Sequence, residues 1–117
     1  MLFVQYPKCS TCKKAEQWLK EHHIEYENRN IKEQNPTYDE LKQWHEKSGL
    51  DIKKFFNTSG VLYKEMNLKE KLVSMSLEEK LALLATDGML VKRPIIVEQD
   101  TILTGFREKE WEEKLCI

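Results

Sequence analysis

The stretch Tyr6-Pro7-Lys8-Cys9-Ser10-Thr11-Cys12-Lys13-Lys14 decides the reading of this chain. Before it, LFVQY at 2–6 is a short apolar, β-rich run that Pro7 ends. After it, Ala15, Trp18 and Leu19 fall at i, i+3, i+4 with Lys and Glu between them. A buried strand therefore hands over to an amphipathic helix, expected from Cys12 to about His23, and a Cys-x-x-Cys sits at the handover.

That placement carries chemistry. The first turn of a helix presents unpaired backbone N–H groups and the positive end of the helix dipole, so a thiolate there is stabilised. Lys8, Lys13 and Lys14 add positive charge, and no acidic residue interrupts the stretch. A two-residue spacer lets one thiol reach the other, as in a nucleophilic cysteine with a resolving partner. Cys9, looped and more exposed, is expected to be the nucleophile; Cys12, within the helix, the resolving thiol.

Other uses of the pair weigh less. Zinc would need two more ligands, but His22 and His23 are adjacent and Cys116 is the one remaining thiol. A phosphatase-type Cys-x5-Arg loop would need arginine at 15 or 18, which hold Ala15 and Trp18. Two inert buried thiols are the plain alternative, made less attractive by the flanking lysines. No metal and no tightly bound cofactor is expected.

The whole chain of 117 residues has 19 basic and 20 acidic residues, a net charge of −1 and 40% hydrophobic content. This bounds it to one globular domain, expected over 1–117, with no electrostatic reason to bind nucleic acid or a membrane. The N-terminus lacks a secretory signal pattern and no apolar run is long enough to span a bilayer, so a cytoplasmic location is expected. In such a reducing compartment, Cys-x-x-Cys reads as redox or metal chemistry.

Downstream, IEYENRNI at 24–31 alternates as a second strand. TYDELKQWHEKSG is a helix with a capping box at Thr37 and Glu40 and a stop at Gly49. DIKKFF reads as a short helical turn, LKEKLVSM as further helix, and SLEEKLALLATDG as a helix capped by Ser76 and Glu79, stopped at Gly88, with Leu77, Leu81, Leu84 and Ala85 on one face. PIIVEQD and TILTG form a hairpin around Gln99-Asp100, and REKEWEEKLC closes the chain as a helix. The order β-α-β, helices, β-β, α predicts an α/β domain with a helical insertion over about 37–88. Trp18, Trp44 and Trp111 are assigned to the core, the histidines to solvent, and Cys116 to no role. Arg93-Pro94, taken alone, is a strand-initiating proline beside a surface arginine.

YPKCSTCKKAEQWL, RNIKEQNPTYDELKQW and KRPIIVEQDTILTGF together resemble the ArsC/Spx family, in order and over nearly the whole chain. That family groups glutaredoxin-linked arsenate reductases with Spx transcription regulators. The resemblance implies a thioredoxin-like fold, a small mixed sheet with flanking helices and an insertion between βαβ and ββα halves. It implies that Cys9 is catalytic, that Arg93 lies beside it, and that Pro94, facing the cysteine, is cis. Lys8, Ser10, Thr11, Pro94 and Arg107 are the expected substrate-binding residues. The arsenate reductases of the family hold the oxyanion with three arginines; Arg93 matches one, while Asn57 and Gly105 stand at the others, with Arg107 two residues beyond.

Two functions follow. The first is a thiol-dependent oxidoreductase acting on an oxidised thiol or a small oxyanion such as arsenate, its Cys9 adduct resolved by Cys12, glutathione, glutaredoxin or another thiol. The second is an Spx-like redox-switched regulator that contacts the RNA polymerase α subunit; against it, Spx proteins look longer, with a basic extension that this chain is expected to lack.

Overall fold

A computed structural model describes residues 1–116. Four short strands form one sheet: β1 (Leu2–Gln5), β2 (Glu27–Asn30), β3 (Ile95–Glu98) and β4 (Thr101–Thr104). Their order is β2-β1-β3-β4. β2 runs parallel to β1, whereas β3 is antiparallel to both β1 and β4. The β1–β2 crossover is α1 (Ser10–Glu21). The chain then passes through α2 (Tyr38–Ser48), α3 (Val61–Glu65), α4 (Leu68–Lys71) and α5 (Leu77–Leu84) before returning to β3, and α6 (Glu108–Leu115) follows β4.

The sheet separates two apolar layers. On one face Phe3, Ile96 and Leu103 meet Ala15, Trp18 and Leu19 of α1 and Trp111 of α6. Trp111 is fully buried, meets Phe3, Trp18 and Phe106 edge-on, and donates its indole N–H to Gly105 O at 3.2 Å. On the other face Val4, Ile95 and Ile102 meet Leu41 and Trp44 of α2, Phe55, Phe56, Leu81 and Leu84. β3 is buried at its start because helices cover both sides. β2, at the sheet edge, is polar and partly exposed.

The local signals behave as their chemistry dictates. Thr37 with Glu40 and Ser76 with Glu79 form complete capping boxes. Gly49 ends α2 in the left-handed region at φ 67°, and Gln99 turns the β3–β4 hairpin at φ 52°. The stretch Ile52–Phe55 is a 3-10 turn.

Several expectations are corrected. α1 begins two residues early, at Ser10 instead of Cys12, because Cys9 is already extended and its carbonyl accepts the Lys13 N–H at 3.0 Å. β2 is confined to Glu27–Asn30, because only those residues pair with Leu2–Gln5. α5 stops at Leu84, not at Gly88. Gly88 serves packing instead: a Cβ there would lie 1.8 Å from Ile31 O. Leu77 is 40% exposed and leaves the α5 core face to Leu81 and Leu84. His45 is half-buried, its ring 6.0 Å from that of Phe55, whereas His22 and His23 are exposed. No helix of the described residues is long and apolar enough to cross a membrane.

Candidate functional site

Cys9 is the N-cap of α1, and Cys12 is its third helical residue. Helical periodicity turns Cys12 inward with Ala15 and Leu19, and all three are fully buried. Cys9, at the strand-helix corner, stays half-buried. Both cysteines are free thiols, and Cys116, exposed at the far end of α6, is remote in sequence from both.

Arg93 reaches this corner from the other half of the chain. The Arg93-Pro94 peptide bond is cis, and Pro94 is buried immediately before β3. Upstream, Lys92 N–H donates to Phe55 O and Asn57 N–H to Leu90 O, both at 2.8 Å, around a Phe56–Val91 bridge. These bonds tie the segment before Pro94 to the loop carrying Asn57. The Arg93 guanidinium carbon lies 5.2 Å from the Tyr6 ring centroid, and Nη1 lies 3.9 Å from Met89 Sδ. Arg93 Nε is buried with no hydrogen-bond partner. Such an orphaned donor is costly in a finished structure and suits a site that takes an anion.

The two thiols experience opposite fields. Burial works against the Cys9 thiolate, but the Cys12 amide, the Cys12 thiol and the Arg93 guanidinium together outweigh it, and the Cys9 pKa is lowered. The Cys9 sulfur makes no capping hydrogen bond of ordinary geometry, so this stabilisation is a matter of field and reach rather than a true cap. Cys12 is pushed up to about 12, first by burial; a backbone hydrogen bond from Tyr6 opposes the rise, and the neighbouring Cys9 adds to it. One thiol is thus prepared to be a thiolate and the other to keep its proton.

A cleft of about 890 Å³ opens beside the corner. Cys9, Thr11, Arg93 and Arg107 line it, and so do Asn57 and Gly105, where the resemblance placed two further arginines. Gly105 has φ 78°, a conformation side chains rarely adopt, and its N–H donates to Pro94 O at 2.8 Å. An arginine at 105 would be strained there, which gives a backbone reason for the departure. Lys8 and Ser10 are exposed and do not line the cleft. Among the described residues no three His, Cys, Asp or Glu side chains converge as a metal-ligand set.

The sequence reading missed Tyr6 and Met89 as supports of Arg93, and Lys47, Lys53, Lys54, Lys92 and Lys114 as cleft residues. The adjacent lysines of DIKKFF were the one available signal, and they are indistinguishable in sequence from a solvated face.

Sheet order β2-β1-β3-β4, with a Cys-x-x-Cys at the start of the crossover helix, defines a protein of the thioredoxin-like class. The chain belongs to the ArsC family, whose model matches residues 4–114. It is 59% identical to an ArsC-family-related protein from Bacteroides fragilis of known crystal structure, with a TM-score of 0.93 over 96% of this chain and 94% of that one. It is 55% identical to the uncharacterized protein YusI of Bacillus subtilis, over 97% of this chain and 96% of that protein. The global transcriptional regulator Spx of Staphylococcus haemolyticus is 32% identical over 89% of this chain and 78% of its own length.

Proposed function

We propose that this chain is a thiol–disulfide oxidoreductase with Cys9 as nucleophile, Cys12 as resolving thiol and Arg93 as the group that holds the Cys9 thiolate. The observation that carries this reading is the divergence of the two cysteines: a half-buried Cys9 with lowered pKa beside a buried Cys12 pushed up to about 12. Cys9 thiolate attacks one sulfur of a client disulfide; a Cys9–client S–S bond forms, and the other client sulfur leaves as a thiolate that takes a proton from water. Cys12 then loses its proton and attacks Cys9 Sγ. The Cys9–Cys12 disulfide forms, the Cys9–client S–S bond breaks, and the departing client sulfur takes up the proton that Cys12 released. The client has gained two electrons and the protein has lost two. Glutathione, glutaredoxin or another thiol returns the pair to the dithiol state. Resolution needs proximity of the two sulfurs, and the two-residue spacer across the first turn of α1 keeps Cys12 beside Cys9.

Arsenate fits the cleft less well. An oxyanion needs several fixed cationic donors. Arg93 is one, but position 57 holds asparagine and position 105 a glycine at φ 78°. The test is thiol-dependent reduction of a disulfide and of arsenate by wild type and Cys9→Ser. Disulfide reduction lost in Cys9→Ser supports the reading; equal rates in the two proteins sink it.

Likeness to Spx supports a second reading, in which the same thiol pair switches contact with the RNA polymerase α subunit. A pull-down with the isolated subunit, in both redox states, decides it: retention in one state favours the switch, retention in neither removes it.

A further inference from the structure

We propose that the cleft beside Cys9 receives an acidic, extended polypeptide carrying an oxidised cysteine. This rests on the thiol–disulfide reading and names its client.

Charge is the first argument. Lys47, at the end of α2, and Lys53 and Lys54, on the following 3-10 turn, edge one wall of the cleft. Lys92 and Arg93 lie before β3, and Arg107 and Lys114 belong to the α6 side. Asp100 and Glu110 are the carboxylates among the lining residues. Seven cationic side chains therefore face two carboxylates, in a protein of net charge −1. The ion pairs among the described residues, Met1–Glu98 and Arg29–Glu40, engage none of the seven. Such segregation focuses a positive field on the cleft and favours an anionic partner.

Size is the second. A tetrahedral oxyanion, counted as four water-sized oxygens of about 30 Å³ each, fills roughly 120 Å³. The cleft is about 890 Å³. The small-oxyanion occupant leaves most of it, and most of its lysines, without a partner.

Backbone is the third. β4 is the outer strand, and the run from Asp100 to Arg107 lines the cleft. Gly105 N–H donates to Pro94 O, so 94 and 105 form the hydrogen-bonded pair of the antiparallel ladder. Alternation makes Ile95 and Thr104 the non-bonded pair, and Thr104 turns its N–H and C=O away from β3. Half-buried Thr104 thus offers an extended chain a strand-pairing edge in the same cleft as Cys9.

Three peptides test this, each with one cysteine as its 2-pyridyl disulfide and flanked by glutamates, glutamines or lysines. Exchange with the reduced protein is followed by release of 2-thiopyridone, each rate divided by that of dithiothreitol on the same peptide. The glutamate peptide is expected to react about tenfold faster than the glutamine peptide at low salt, the advantage shrinking at high salt. Lys53→Glu/Lys54→Glu should bring the ratio towards one, and Lys20→Glu/Lys32→Glu, an equal charge change outside the cleft, should preserve it. Equal rates on all three peptides, or equal loss in both double variants, overturn the inference and leave the thiol–disulfide reading standing. Full competition by inorganic phosphate at matched ionic strength overturns it in favour of a small oxyanion. No exchange with any peptide overturns the thiol–disulfide reading itself.

Discussion

Cys9 and Cys12 lie within one helical turn of each other, yet their thiols are driven in opposite directions, Cys9 towards thiolate and Cys12 up to about 12. Burial acts on both and dominates at Cys12, where the neighbouring Cys9 adds to the rise; at Cys9 the Cys12 amide and the Arg93 guanidinium help to outweigh it. Alkylation of Cys9 by iodoacetamide should therefore rise through a lower midpoint than that of an ordinary exposed thiol. Cys12 should stay unmodified in the same pH range. Arg93→Gln should move the Cys9 midpoint upward, because the guanidinium charge that favours the thiolate is removed. Peptide mapping by mass spectrometry reads the site and the rate.

Arg29 on β2 is the second pairing with a consequence. It donates to both oxygens of Glu40 at 2.7 and 2.9 Å and to the carbonyls of Gln34 and Asn35. Glu40 also accepts the Thr37 N–H at 3.0 Å, so the edge strand is pinned to the α2 cap. Arg29→Ala should lose roughly 1.5–3 kcal/mol in urea unfolding at neutral pH. The Arg29 hydrogen bonds, partly opposed by burial, hold the Glu40 carboxyl below the usual carboxylate range. A folded pKa below the unfolded one gives stability that is full above the unfolded value and drains as pH falls through the folded one. Wild type and Glu40→Gln should thus differ most near neutrality and converge in acid.

Gly88 is required by contact rather than by backbone angle. A Cβ placed 1.8 Å from Ile31 O meets backbone, which cannot swing aside. Gly88→Ala should destabilise the protein by about 3 kcal/mol or more, with the loss visible in its thermal midpoint.

Trp111 couples the last helix to the site. Trp111→Ala should cost about 3–5 kcal/mol by emptying the centre of one apolar layer. Trp111→Phe keeps most of the ring contacts and loses the bond to Gly105 O, at about 0.5–1.5 kcal/mol. Chemical denaturation of the two variants separates packing from the bond.

Most of the fold was legible because its signals are local. Capping boxes, the left-handed Gly49 and the alternation either side of Gln99 each involve a few neighbouring residues. Boundaries were less legible. β2 ends where β1 ceases to pair with it, and α5 ends without a glycine. The site was legible at Cys9 and Cys12, which advertise their spacing. Arg93 was not, since it lies 81 positions beyond Cys12 and only the fold brings it to the thiols; family resemblance, not composition, pointed there. Lysines of the cleft were hidden for the same reason: each is an ordinary surface residue until four separate segments are folded around one opening.

The central claim is that Cys9 attacks and Cys12 resolves. The most direct measurement is intact and peptide-level mass spectrometry of Cys12→Ser and Cys9→Ser, each also carrying Cys116→Ser, after brief exposure to a disulfide substrate. Cys12→Ser is expected to accumulate a mixed disulfide on Cys9, while Cys9→Ser stays unmodified. An adduct on Cys12 in Cys9→Ser, at a rate matching that of Cys9 in its counterpart, would contradict it.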